Sequence, residues 1–175
     1  MYSVEESVVP NPTIILGIDP GTRVTGWGVV ALNGSDPRAV ACDIIAPPAK
    51  WPIEQRLQHI FSELGDVIAK YQPAVMAVEE PFVGENVRSA MAVGEARTVA
   101  MLAGTLAGLK VHHYTPARIK AVVAGYGRGD KQQVREMLRL QLGVDDLPGD
   151  LNATDALAVA LCHAISARAE ELLGK

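Results

Sequence analysis

Three β-rich runs in direct succession, followed by a regular alternation of helical and strand-like segments, leave this chain few ways to fold. TIILGID (Thr13–Asp19) is a short apolar run ending on a carboxylate, and RVTGWGVVAL (Arg23–Leu32) leads into Asn33-Gly34, a hairpin signal. A third strand is predicted over 39–46. A helix is predicted over 53–71, with Ile53, Leu57, Ile60, Phe61, Leu64, Val67 and Ile68 on one face. After Pro73, AVMAVEE forms a fourth strand with Glu79 at its end, and an alanine-rich helix follows over about 86–109. KVHHY is a short fifth strand. Then come a helix opened by Thr115-Pro116, the loop GYGRGD, a basic helix over 131–142 and a last helix from about Asn152. Hairpin strands followed by helix–strand–helix–strand–helix predict an α/β fold: one five-stranded mixed sheet flanked by helices on both faces. The first three strands run antiparallel and the next two parallel to the first. Sites in such sheets form beyond the carboxyl ends of the parallel strands.

A carboxylate at the inner end of a buried strand is costly unless it is paired or holds a metal. Asp19 and Glu79 both end strands that are predicted neighbours. The final helix opens DLNATDALAVALCHA, which puts Asp155 three residues after Asn152 and on the same face. With that turn over the strand ends, Asp19, Glu79, Asn152 and Asp155 converge. The small residues Ala153, Ala156, Ala158 and Ala160 let the helix approach the sheet closely. Three carboxylates together repel strongly unless a cation neutralises them. Hard oxygen donors without a nearby Cys or His pattern select Mg²⁺ or Mn²⁺ over zinc, and two such ions can flank a phosphodiester. Singly, each acid also fits a plainer role in a turn, at a strand end or at a helix N-terminus. Placement on three separate elements favours the metal centre. Asp150 is expected to cap the last helix.

At 175 residues the chain has the size of one ordinary domain, read as a single domain over 13–175 behind a flexible tail over 1–12. The tail carries two glutamates and no long apolar stretch, so it is not read as a signal peptide. No apolar run approaches the ~20 residues of a membrane helix, which excludes a membrane protein of that kind. Cys42 and Cys162 are too few and too far apart for a disulfide framework, pointing to a cytoplasmic setting. The net charge of −4 is unevenly spread. Thr115 to Leu142 holds six basic residues against two acidic ones, and Gly143 to the end holds two against six. Such a pairing of blocks suits a protein that grips phosphates and also holds cations, although charge alone favours a solvated helix beside a charged loop.

The segments ILGIDPGTRVTGWGVV, MAVEEPF, YTPARIK, GRGDKQQV and ATDALAVALCHA, in this order, resemble the RuvC family of Holliday junction resolvases from Ile14 to about Ala167. The resemblance implies a ribonuclease-H-like fold and a homodimer. It implies metal-dependent nicking of two strands of a four-way DNA junction at symmetric positions, during recombination and repair, with a branch-migration motor as a further partner. The family's acids fall on Asp19, Glu79 and Asp155. A fourth acidic position falls on Asn152, whose amide oxygen can still bind a metal but carries no charge, so looser Mg²⁺ binding and better use of Mn²⁺ are expected. Lys120 and Lys131 match the family's functional lysines, Lys131 as a transition-state or phosphate-positioning charge and Lys120 on the DNA-facing surface. Phe82 matches an aromatic that stacks at the junction, and Arg88, Arg128 and Arg135 are expected phosphate contacts. The helix over 86–109 has few charges and contains Gly94, Gly104 and Gly108, so it needs a second apolar surface, supplied either by deep burial within one chain or by a twofold partner, with which the resemblance agrees. His163 lies eight residues after Asp155 and reads as a core or surface histidine; Trp27 and Trp51 read as packing residues. Three rivals stand beside this reading, one of them a shorter resolvase-like or RNA-processing relative with the same core, against which the GYGRGDKQQVREM segment and the EEPF loop speak. An ATPase of the sugar-kinase type needs two such domains, and a junction binder without chemistry draws on Asn152.

Overall fold

The computed structural model describes residues 11–80, 87–125, 131–147 and 149–174. β1 (Thr13–Asp19), β2 (Thr25–Asn33) and β3 (Asp36–Ile45) form two antiparallel hairpin pairs. α1 (Ile53–Tyr71) crosses to β4 (Val75–Glu79), and α2 (Val87–Leu106) crosses to β5 (Lys110–Tyr114). α3 (Pro116–Ala124), α4 (Lys131–Leu142) and α5 (Leu151–Leu172) follow. The sheet order is β3-β2-β1-β4-β5, with β4 parallel to β1 and β5 parallel to β4, as the sequence predicts.

Two boundaries differ from the sequence reading by three residues. β3 starts at Asp36, because a two-residue turn with Gly34 at φ +59° lets pairing run up to Asn33 and Asp36. Pro37 is tolerated there because β3 is an edge strand. α2 stops at Leu106, because Gly108 takes a φ of +79° and closes the helix.

Alternation along the strands divides the core into two layers. Leu16, Ile18, Val29, Met76 and Val78 pack on Ile60 and Leu64 of α1 and Ala96 and Ala100 of α2. Ile15, Val30, Val75 and Ala77 pack on Ile119, Leu138, Leu157 and Leu161 of α3, α4 and α5. The odd-numbered residues of β1 and β4 therefore face α5, and the last of each is an acid, Asp19 and Glu79. Trp27 tilts against Tyr71 and Trp51 meets His59 edge-on, both at 5.7 Å, as packing contacts.

The α5 face of the sheet has a floor of glycine. Gly17 and Gly28 are direct cross-strand partners. A Cβ on Gly28 would stand 2.7 Å from the Leu157 backbone nitrogen. One on Gly17 would overlap the Ala156 carbonyl oxygen, and one on Gly26 the Asn152 carbonyl oxygen. α5 thus lies backbone to backbone on β1 and β2, with Ala153, Ala156, Ala158 and Ala160 buried. Asp150 caps it, accepting a hydrogen bond from the Asn152 N–H at 2.8 Å.

Candidate active site

Asp19 and Glu79 close neighbouring parallel strands whose register pairs Ile18 with Val78, so they emerge side by side at the carboxyl edge of the sheet. Their side chains share a hydrogen bond, which two carboxyl groups form only with a proton between them. Burial is the main cause that retains this proton. It pushes Asp19 up to about 6, with help from the charge of Asp155. It pushes Glu79 up to about 8, reinforced by Asp19 and then Asp155, while Lys120 pulls in the opposite direction. Glu80 points elsewhere, with an oxygen 4.0 Å from Arg97.

Asp155 comes from the first turns of α5 and lines a cleft of about 250 Å³ together with Glu79, Lys120, Arg135 and Thr154. Among the described residues, no three His, Cys, Asp or Glu side chains stand close enough to grip a single ion. Asp19 and Glu79 are joined by their proton, and Asp155 acts on both through its charge. The donor set still fits a hard divalent cation: three carboxylates from three elements, two held partly protonated by burial and repulsion that a cation would relieve.

Asn152 accompanies Asp155 on α5. Its side-chain nitrogen donates to Asp150 at 3.0 Å, which leaves its side-chain oxygen as the atom to offer a cation. Lys120, expected on a DNA-facing surface, lines the cleft beside Glu79, and Arg135 lines the same cleft. Phe82 and Arg128 lie outside the described residues, as do the side chains of Arg88 and Lys131. His163 is a core histidine. Tyr114 Oη and its Nδ1 are 2.8 Å apart, its ring lies 4.4 Å from that of His112, and burial pushes it down to about 4. Sequence reasoning missed the glycine floor, whose signal is Gly26 and Gly28 at strand spacing behind Gly17. It also missed Thr154, buried beside Arg135.

The sequence model of the family described as crossover junction endodeoxyribonuclease RuvC matches residues 15–163. The chain belongs to this family. It is accordingly an endonuclease of the RuvC type. The RuvC relative of Rubrobacter xylanophilus is 45% identical over 161 residues, covering 92% of this chain and 90% of the relative. That of Chloroflexus aurantiacus is 46% identical over 152 residues, covering 87% and 93%. Among solved structures, RuvC of T. thermophilus in complex with a Holliday junction substrate superposes with a TM-score of 0.85 at 34% identity, covering 90% of this chain and 96% of that one. The yeast mitochondrial resolvase Ydc2, with a TM-score of 0.66 at 12% identity and coverage of 95% and 86%, shares the ribonuclease-H-like fold. Among the described residues, no helix is long and apolar enough to cross a membrane.

Proposed function

We propose that this RuvC-family chain resolves four-way DNA junctions by hydrolysing two symmetrically placed phosphodiesters, with Asp19, Glu79 and Asp155 holding Mg²⁺ or Mn²⁺, two ions per site. One observation carries the reading. Asp19 and Glu79 leave adjacent parallel strands on the face where α5 delivers Asp155. When bound, the cations supply an activated water and stabilisation of the leaving oxygen. The chain's own groups do the rest. Lys120 offers a phosphate a charge inside the cleft, next to Glu79. Lys131 adds a second positioning charge, Phe82 stacks on an unpaired base at the crossover, and Arg88, Arg128 and Arg135 neutralise phosphates. Asn152 offers a neutral oxygen where the family has an acid, so cations are held more loosely here.

The working unit in this reading is a homodimer. Met91, Leu102 and Leu106 lie along one side of α2 and are 65%, 49% and 69% exposed, an apolar strip that a twofold partner would cover. Two equivalent scissile strands then meet two equivalent sites. A branch-migration motor delivers the junction, in the cytoplasm.

Incubating the purified chain with a synthetic four-way junction and a linear duplex of matched sequence, in Mg²⁺ or Mn²⁺, tests this directly. Paired symmetric nicks in the junction alone are expected. Junction binding without cleavage in either metal would leave only a binding module, and cutting of the duplex at an equal rate would remove the structural specificity.

A further inference from the structure

We infer that Arg135 is a phosphate contact of the reaction centre itself, and that the Thr154 hydroxyl is the group that positions it. This deepens the resolvase reading and rests on it. Arg135 stands on α4 and Thr154 on α5, and both line the cleft that holds Glu79, Lys120 and Asp155. Arg135 Nη1 donates to Thr154 Oγ1 at 3.5 Å. The same hydroxyl donates to the Asp150 carbonyl at 3.1 Å, so its proton is committed there and toward Arg135 it is the acceptor. Thr154 is 3% exposed, so this anchor is set within packed structure.

The state of the guanidinium points to a ligand. Arg139, one turn further along α4, is held by Glu136 through two hydrogen bonds of 2.8 and 3.1 Å. Arg135 forms no such ion pair among the described residues, where the salt bridges are those of Arg38, Arg97 and Arg139. It is a cation with five donors in a planar fork, tethered to Thr154 through one of them and in no ion pair among the described residues. A phosphate diester takes that fork in a bidentate pair. Arg135 also lines a second hollow of about 330 Å³ along α4, shared with Gln132, Glu136, Arg139, Asp146 and Leu147, so it stands between that hollow and the cleft of Glu79 and Asp155. Thr154 directly precedes Asp155, so the tether registers the held phosphate against the turn that carries an acid.

Two readouts on the full chain test this. The first is junction binding in EDTA across a salt series. Arg135→Gln is expected to reduce the slope of log affinity against log salt by about 0.9, the value of one phosphate contact, and Thr154→Val to leave the slope unchanged. The second is the single-turnover cleavage rate at saturating enzyme. Both variants are expected to lose at least about tenfold, Thr154→Ser to stay within about threefold of wild type, and Arg135→Lys to restore the salt slope without the rate. An unchanged slope in Arg135→Gln overturns the contact, and equal cutting by Thr154→Val and Thr154→Ser overturns the positioning role. A wild type that binds without cutting sinks the resolvase reading instead, and the salt slope still judges Arg135.

Discussion

Asp19 and Glu79 stand next to each other because two strands end together, and in the absence of a cation they share a proton. A carboxyl group whose folded value lies above its unfolded one supports the fold fully below the unfolded value, and that support is lost as pH rises through the folded value. Here the loss runs from ordinary values of 3.8 and 4.5 to raised values of about 6 and about 8. Glu79→Gln, which needs no proton, is therefore expected to raise the Tm at pH 8.5 in EDTA, with the gain vanishing toward pH 4. Thermal melts across that range check it, and a lowered Tm at pH 8.5 contradicts it. Asn152→Asp is expected to lower the Mg²⁺ concentration giving half-maximal cleavage and to narrow the preference for Mn²⁺. Metal titrations of both proteins that coincide would discard the role of Asn152. The strand-ending acids were legible as a pair, because two apolar runs predicted to be neighbours both close on a carboxylate. The tether of the Asn152 amide to Asp150 was not, since it depends on how the cap side chain turns.

At the scale of elements, the geometry of the acids depends on how closely α5 lies on the sheet. Gly28→Ala puts a methyl group 2.7 Å from the Leu157 nitrogen, with backbone and not a flexible side chain in the way. A loss of about 1–3 kcal/mol in unfolding free energy is expected, together with a fall in cleavage as the helix lifts Asp155 away. Gly65→Ala is the control. Gly65 is exposed within α1 with nothing within 4 Å of the added methyl, so a gain of about 0.5–1 kcal/mol and unchanged cleavage are expected from denaturant unfolding and activity assays. Strand order was readable because tight hairpins force antiparallel neighbours and helical crossovers force parallel ones. The alanines of α5 announced a close approach, whereas their counterpart, a run of glycines in two different strands, becomes visible only once Gly17 and Gly28 are paired. The early start of β3 escaped because Asp36 and Pro37 look like turn residues until an edge position makes them acceptable.

For the whole molecule, the segregated charge of the sequence becomes a single cleft. Lys120 and Arg135 come from the basic block, Asp155 from the acidic one, and Glu79 from the sheet between them. Charge composition showed the two blocks but not that α3, α4 and α5 fold them against each other. The exposed strip on α2 belongs to the same scale. Leu102→Glu is expected to shift the chain from dimer to monomer in sedimentation velocity at micromolar concentration, and a wild type that already sediments as a monomer there contradicts the twofold unit. The most direct measurement of the central claim is the anomalous scattering of Mn²⁺ in crystals of this chain. Peaks whose protein ligands comprise the carboxylates of Asp19, Glu79 and Asp155 are expected; an ordered site without manganese, or peaks that engage no more than one of these acids, would overturn the shared metal site.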